Sequence, residues 1–266
     1  MPLIDALGDR MKGYYEQAPN IRLMRRTPVI IRVDGKAFHS YTRGFDSPMD
    51  KDLMLCMRET MRWMCGQIQG CVLGYCQSDE ISFCVVDYKK LESDCWFDYK
   101  VQKVCSISAA LATYMFNHLI RAIKKTIKTK EGVAALVADE RAALFDARAF
   151  NIPENEVANY FYWRQLDTIR NSINLAGHTY FSNKEMNRKK TNEVKDMLLG
   201  KGINWDDYPS DYKYGTCAIK QFREEEIDGT ICTRSEWILD HNIPIFKGVD
   251  RAYVENRVLL DRIKED

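Results

Sequence analysis

The sequence predicts an α+β protein: an antiparallel or mixed sheet with helices on one face, plus a C-terminal elaboration. Three observations carry this. Residues 28–33, 71–76, 81–86 and 143–150 are apolar-rich runs of strand length. Longer helical stretches at 50–69 and 94–127 separate them. The resulting order, strand–helix–hairpin–helix–strand, is that of a sheet whose helices pack together on it.

The elements follow in order. Residues 1–20 mix Asp5, Asp9, Arg10, Lys12 and Glu16 with apolar residues, which is not the pattern of a signal peptide. The run 28–33 reads as a buried strand ending in Asp34-Gly35-Lys36. After a turn from Gly44 to Pro48, residues 50–69 read as a helix with Leu53, Met57, Met61, Met64 and Ile68 as its apolar stripe. Residues 71–76 and 81–86 read as a hairpin with Gln77 to Glu80 at its tip. The stretch 94–127 reads as one long helix, and its small middle, Cys105-Ser106-Ile107-Ser108-Ala109-Ala110, allows close approach to a sheet. Residues 143–150 form the next strand. Asn151 and Pro153 then open a helix running through Trp163 towards Ala176. A shorter helix runs from Thr191 as N-cap to Gly200. Residues 213–222 and 230–239 read as two strands around an Ile227-Asp228-Gly229 turn. No repeat or low-complexity linker interrupts the chain. It reads as a single domain over 1–266, with a catalytic core at about 20–150 and an elaboration at about 151–266. The layout is that of a polymerase palm.

Composition narrows the function. The chain has 266 residues, 45% hydrophobic and 29% charged, with net charge +1, so nothing draws nucleic acid to the whole surface. Local basic patches remain: Arg121, Lys124, Lys125, Lys128 and Lys130; Arg188, Lys189 and Lys190; Arg22, Arg25 and Arg26. Each reads either as a phosphate-contacting patch or as a solvated face. The nine cysteines are odd in number with no Cys-x-x-Cys, as expected of reduced thiols in a cytoplasmic protein. Cys56, Cys65, Cys71, Cys76 and Cys84 fit no standard zinc spacing. No apolar run has membrane-spanning length, so no membrane partner is expected.

Asp34 and Asp79 each stand where an apolar strand must turn, about 45 residues apart. With a helix folded between them, both carboxylates can meet at one sheet edge. Two carboxylates there are what a pair of Mg2+ ions needs to hold a nucleoside triphosphate. Either motif alone is also an ordinary turn. Gly35 would let backbone approach a ligand or offer a carbonyl to a metal, and Lys36 and His39 follow in a loop able to meet phosphate. Lys100 and Lys103, one helical turn apart, could neutralise a polyphosphate or be plain surface lysines. Arg164, Gln165, Asp167, Arg170, Asn171 and Asn174 could grip phosphates, ribose or base edges, or form a structural polar network. His118, His178 and His241 have no partner assignable from sequence.

Two signatures then carry a resemblance. Arg32-Val33-Asp34-Gly35-Lys36-Ala37-Phe38-His39 resembles Arg-x-Asp-Gly-x-x-Phe-His, and Tyr75-Cys76-Gln77-Ser78-Asp79-Glu80-Ile81-Ser82-Phe83 resembles Tyr-x-Gln-Ser-Asp-Glu-x-Ser-Phe. Trp163-Arg164-Gln165 with Asp167, and Tyr212-Lys213-Tyr214-Gly215-Thr216, match further on. The family is the tRNA-His guanylyltransferases and their relatives, the 3′-to-5′ polymerases. The resemblance spans about 20–222. It implies that Asp34, Asp79 and the Gly35 carbonyl bind two Mg2+ ions, and that Asp34 and Asp79 are catalytic. It also implies that Asp34, Gly35, Lys36, Ala37, Phe38, His39, Ser78 and Asp79 line a pocket for ATP, GTP or another nucleotide. Lys100 and Lys103 would face its triphosphate, and the protein would be a homotetramer acting on tRNA. The sequence departs from the family's eukaryotic members in two places. The stretch 167–174 keeps one Asn of their His-Ile-Asn-Asn motif in place, and Ser47 stands where a lysine is common. These departures resemble the guanylyltransferase-like branch, whose members repair 5′-truncated tRNA by templated addition. Arg164, Arg170, Asn171 and Asn174 are the candidate RNA contacts. The competing readings are a strict tRNA-His guanylyltransferase, a nucleotidyl cyclase and a non-catalytic tRNA-binding protein.

Overall fold

Val29, Ile30, Ile31 and Val33 are all buried, so the first strand lies inside a sheet covered on both faces. The computed structural model describes residues 6–90, 92–129, 132–135, 141–227 and 230–259. Asp5, Lys130 and the expected turn residues Asp228 and Gly229 lie outside them. In chain order the elements are α1 (Ala6–Met11), β1 (Val29–Gly35), α2 (Phe38–Tyr41), α3 (Lys51–Gln67), β2 (Cys71–Gln77), β3 (Glu80–Val85), α4 (Val101–Ala122), β4 (Thr126–Thr129) and β5 (Gly132–Ala135). There follow β6 (Phe145–Asn151), α5 (Val157–Tyr180), α6 (Asn183–Met186), α7 (Thr191–Leu199), α8 (Ser210–Tyr214), β7 (Thr216–Ile227), β8 (Thr230–Asp240) and α9 (Ala252–Val258).

The main sheet runs β6-β1-β3-β2-β7-β8, and its pairings are antiparallel. Alternation along the strands divides the core in two. Val29, Ile31, Val33 and Phe83 face Met57, Met61 and Met64 of α3 and Val104, Ala112 and Phe116 of α4. These two helices are the pair expected on one face. Ile30, Leu73, Tyr75 and Cys84 face the other way, onto Val157 and Phe161 of α5 and Val254 and Val258 of α9. The C-terminal elaboration therefore covers the second face. Each buried Val, Leu, Ile, Met or Phe among them contributes roughly 1.5–3 kcal/mol. Ser108 and Ala112 are fully buried, which is how the small middle of α4 lies close to the sheet.

Several expected elements shift. The long helix starts at Val101, because Phe97, Asp98 and Tyr99 take φ of 50°, 55° and 49° and turn the chain first. It ends at Ala122, and a short β4–β5 hairpin follows where no strands were expected. The strand expected from 213 begins at Thr216, because α8 precedes it and Gly215, with φ of 87°, ends that helix. An alanine Cβ at Gly215 would stand 2.6 Å from the Tyr75 hydroxyl. In α7 Thr191 is the first helical residue and Lys190 the cap, its N–H donating to the Glu193 carboxylate at 2.9 Å.

Candidate functional site

The two acidic turns meet. β1 pairs with β3 so that Asp34 stands opposite Glu80, and the Gly35 N–H donates to the Asp79 carbonyl at 3.0 Å. The Lys36 N–H donates to the Leu144 carbonyl at 2.8 Å, fixing the exit of the strand. Glycine at 35 leaves room for the Phe38 ring, since a Cβ there would lie 2.2 Å from Phe38 Cδ2. That ring turns inward against Tyr41, Phe116 and Phe145, with centroids 5.0, 5.7 and 5.1 Å away. Phe38 thus props up the loop that leads into α2, and Ala37 takes a left-handed φ of 53° to start that helix. At the other turn Ser78 has φ of 47°, and its hydroxyl donates to Asp79 Oδ1 at 2.8 Å.

Burial pushes the Asp79 carboxyl above the usual range, and the negative charge of Asp34 adds to this; the hydrogen bond from Ser78 opposes it. Among the described residues neither Asp34 nor Asp79 has a lysine or arginine partner. Two unneutralised carboxylates at one edge suit a divalent cation. Among the described residues no three His, Cys, Asp or Glu side chains cluster closely enough to hold a metal by themselves. Two carboxylates are hard oxygen donors, which fits an ion that takes its remaining ligands from backbone, phosphate and water.

Beside this edge lies a cleft of about 380 Å³ whose walls include His39, Thr42, Arg43, Asp46, Ser78 and Asp79. His39, Arg43 and Lys36 are exposed. Arg43 was not singled out from sequence. The available signal was its spacing, four residues after His39. A second cavity of about 110 Å³ adjoins the cleft through Pro48, Asp50 and Ser78, and Leu53, Gln77, Asn171 and Leu175 also line it.

Some expected site residues lie elsewhere. Lys100 and Lys103 are not near the acidic pair. β3 carries the chain away from Asp79, and α4 starts where Arg22 bridges to Lys100, at the opposite end of the sheet. α4 then runs back towards the site, where Phe116 meets Phe38. At 1.5 Å per residue Lys103 is left about 20 Å behind. The Lys103 ammonium lies over the Phe97 ring at 5.0 Å. Arg164 does not face solvent as an RNA contact would. It is buried, its guanidinium gripping Glu80 at 2.7 and 2.9 Å and Asp167 at 2.7 Å, so it is not available to RNA. Arg170 is exposed but pairs with Asp167. Asn171 is exposed beside the second cavity, and Asn174 is half-buried on the same helix.

The basic patches are largely used internally. Lys125 is buried between Asp50 and Asp52 at 2.6 and 3.0 Å, and Lys128 pairs with Asp46. Arg22 and Arg25 pair with Asp98 and Asp87, and Lys189 with Glu193. His241 contacts Asp211 at 3.2 Å and His118 stacks on Tyr114. The nine cysteines are free thiols. No helix among the described residues is long and apolar enough to cross a membrane.

A family model described as tRNAHis guanylyltransferase matches residues 8–153. The solved structure of a bacterial tRNA(His) guanylyltransferase-like protein in complex with ATP is similar with a TM-score of 0.82 and 40% identity, covering 95% of this chain and 99% of that one. A GTP complex of a protein so described is similar with a TM-score of 0.78 and 39% identity, covering 96% and 100%. A probable tRNA(His) guanylyltransferase of Dictyostelium discoideum is 25% identical over 84% of this chain and 86% of its own length.

Proposed function

We propose that this chain, which belongs to the tRNA(His) guanylyltransferase family, is a metal-dependent nucleotidyltransferase that extends the 5′ end of tRNA in the 3′-to-5′ direction, choosing each nucleotide by pairing with the opposite strand. The observation that carries the reading is the meeting of Asp34 and Asp79, unneutralised, beside a cleft lined by His39 and Arg43. The ATP and GTP complexes of similar bacterial structures support nucleoside triphosphates as substrates.

Asp34, Asp79 and the Gly35 carbonyl would hold two Mg2+ ions. When bound, such ions screen phosphate charge and ease deprotonation of an attacking hydroxyl. The chain's own residues do the rest. The αL turn at Ser78 sets Ser78 and Asp79 in the wall of the cleft, with the Ser78 hydroxyl donating to Asp79. Lys36 and Arg43 offer positive charge to a polyphosphate as it enters, and His39 offers a hydrogen-bonding imidazole. The 5′ end is activated with ATP unless it already bears a triphosphate. In the activation, an oxygen of the 5′-monophosphate attacks the α-phosphorus of ATP and expels pyrophosphate; the 3′-hydroxyl of the incoming nucleotide then loses its proton, attacks the 5′ phosphorus and expels AMP, or pyrophosphate where the end was already a triphosphate. One site serves both in-line displacements. Arg170, Asn171 and Asn174, on the open side of α5, are the residues left to meet the acceptor stem. Pairing supplies base choice, so shape and phosphate contact suffice there. Cytoplasmic location and assembly as a homotetramer belong to the same reading.

The test is incubation of the full chain with Mg2+, labelled nucleotides and tRNA transcripts lacking the first residue, differing at the opposing base and then at the anticodon. Addition that follows the opposing base and ignores the anticodon is expected. Addition of G alone, dependent on the His anticodon, would make the protein a strict guanylyltransferase. A cyclic nucleotide product without RNA extension would make it a cyclase.

A further inference from the structure

Helix α5 touches the acidic hairpin on both sides of its tip. Glu80 follows Asp79 directly, and Arg164 grips it with two parallel bonds, Nε to Oε1 at 2.7 Å and Nη2 to Oε2 at 2.9 Å. Gln77 precedes Ser78, and the Thr168 hydroxyl, one turn on from Arg164, donates to Gln77 Oε1 at 2.6 Å. The Tyr75 hydroxyl lies 2.6 Å from the same Thr168 oxygen. Gln77, Glu80, Arg164 and Thr168 are 5%, 7%, 7% and 5% exposed, so these bonds are made away from water. Asp167 braces Arg164 from the far side at 2.7 Å, and Arg32 approaches Glu80 at 4.0 Å. Only Ser78 and Asp79 lie between the two held residues.

A buried ion pair is a poor way to gain stability, because desolvation takes back most of the Coulomb attraction; apolar side chains of the same size would do as well or better. A forked guanidinium does fix direction and distance. Here it fixes a residue adjacent to Asp79, at a turn held in a left-handed conformation. It also occupies both Glu80 oxygens, keeping that carboxylate off the metal edge.

We propose that Arg164 and Thr168 are positioning residues, a two-point splint through which α5 sets the Ser78–Asp79 turn for catalysis. The inference rests on the reading of Asp79 given above. It replaces the role of Arg164 as an RNA contact with one at the reaction centre.

The experiment compares wild type, Thr168→Val, Thr168→Ser, Arg164→Lys and Asp79→Asn in the full chain. Three quantities are read: the single-turnover rate of addition across a Mg2+ titration, affinity for tRNA, and backbone hydrogen exchange over residues 71–83. Thr168→Val and Arg164→Lys are expected to slow addition tenfold or more and to raise the Mg2+ needed for half-maximal rate. Exchange at the tip should quicken while tRNA affinity stays within twofold. Thr168→Ser, which restores the hydroxyl, should return the rate to within threefold of wild type. If Arg164→Lys fails to fold, the volume-conserving Thr168→Val carries the test. A wild-type rate, Mg2+ dependence and exchange in Thr168→Val overturn the splint. So does lost tRNA affinity with an unchanged rate at saturating tRNA, which returns Arg164 to the RNA surface. Asp79→Asn separates the two claims. If it is inactive while Thr168→Val is normal, only the splint falls. If it adds nucleotide normally, the reading of Asp79 falls, and hydrogen exchange alone then decides the splint.

Discussion

Replacing Asp79 by Asn separates a catalytic carboxylate from a turn-forming one by the sign of its effect on stability. The amide is the same size and can still accept from the Ser78 hydroxyl, which now lies 2.8 Å from Oδ1. What disappears is a negative charge that the fold disfavours, first through burial and then through Asp34. An acid whose folded pKa is raised costs nothing where both states are protonated. It costs stability as pH rises from its unfolded value through its folded one, and the full cost remains above that. The Asn variant escapes this, so its advantage in the absence of metal should be nil near pH 3 and appear by pH 7. A structural Asp would behave oppositely, and its loss would cost about 1 kcal/mol at neutral pH. Bound Mg2+ reverses the balance. At a free concentration one hundred times its Kd, an ion that binds only the folded wild type adds about 2.7 kcal/mol. In a chain of this size that is roughly a 5–10 °C rise in Tm. The variant should show little of that rise. Losing a carboxylate that would hold the metal ion against the reacting phosphate withdraws several kcal/mol of transition-state stabilisation, at about 1.4 kcal/mol per tenfold, so addition should fall by about a thousandfold or more. The assays are thermal melts with and without Mg2+ at two pH values, and single-turnover addition. A variant less stable than wild type without metal, equally stabilised by Mg2+ and still active, refutes the reasoning.

Lys125→Met should destabilise by about 3 kcal/mol in urea titration, since it leaves Asp50 buried and unpaired. Lys125→Met with Asp50→Asn should recover much of that loss, and equal losses in the single and double variants would count against the ion pair. Arg43→Ala should raise the KM for nucleotide about tenfold, the equivalent of one charge-assisted contact of about 1.5 kcal/mol, and leave the salt dependence of tRNA binding unchanged; an altered salt slope would place Arg43 on the RNA instead. Gly35→Ala should cost about 1–3 kcal/mol and lower activity, because its Cβ must displace the Phe38 ring; a variant as stable as wild type would mean that the loop has room.

What the sequence showed best was local. Asp34 and Asp79 were legible because an apolar strand that ends in a carboxylate is a pattern only a few residues long. Register then brings the two together, since β1 and β3 pair through Asp34 and Glu80. The helix α3 was legible for the same reason: its stripe repeats along its whole length, and Asp50 caps it by accepting from the Leu53 N–H at 2.9 Å. Lys100 and Lys103 misled because their position depends on direction, which composition does not carry. A helix that follows the second strand of a hairpin begins at the end of the sheet away from the hairpin tip. That argument from topology was available in the sequence and points the other way. The β4–β5 hairpin gave no comparable signal, as its strands are four residues each and mostly exposed.

The role of Arg164 was hidden for a different reason. Its partner Glu80 lies 84 residues away, and nothing near Arg164 in the sequence marks it as buried. The same holds for Lys125, Lys128, Arg22 and Arg25, each of which looked free beside its neighbours and is answered by an acid from another element. Charge in this chain is nearly balanced, 39 basic residues against 38 acidic ones, and the fold spends much of it in such pairs. Against that background an unanswered acid is more informative than an exposed cation. Asp34 and Asp79 are half-buried at one edge of the sheet, and among the described residues neither has a lysine or arginine partner. On the proposed function the positive charge at this edge comes from bound metal ions. Carboxylates are hard oxygen donors, which favour Mg2+ over softer metals, in keeping with the proposed function. On the proposed function, the same arrangement that costs the folded protein stability by itself is the one that would hold metal and triphosphate together.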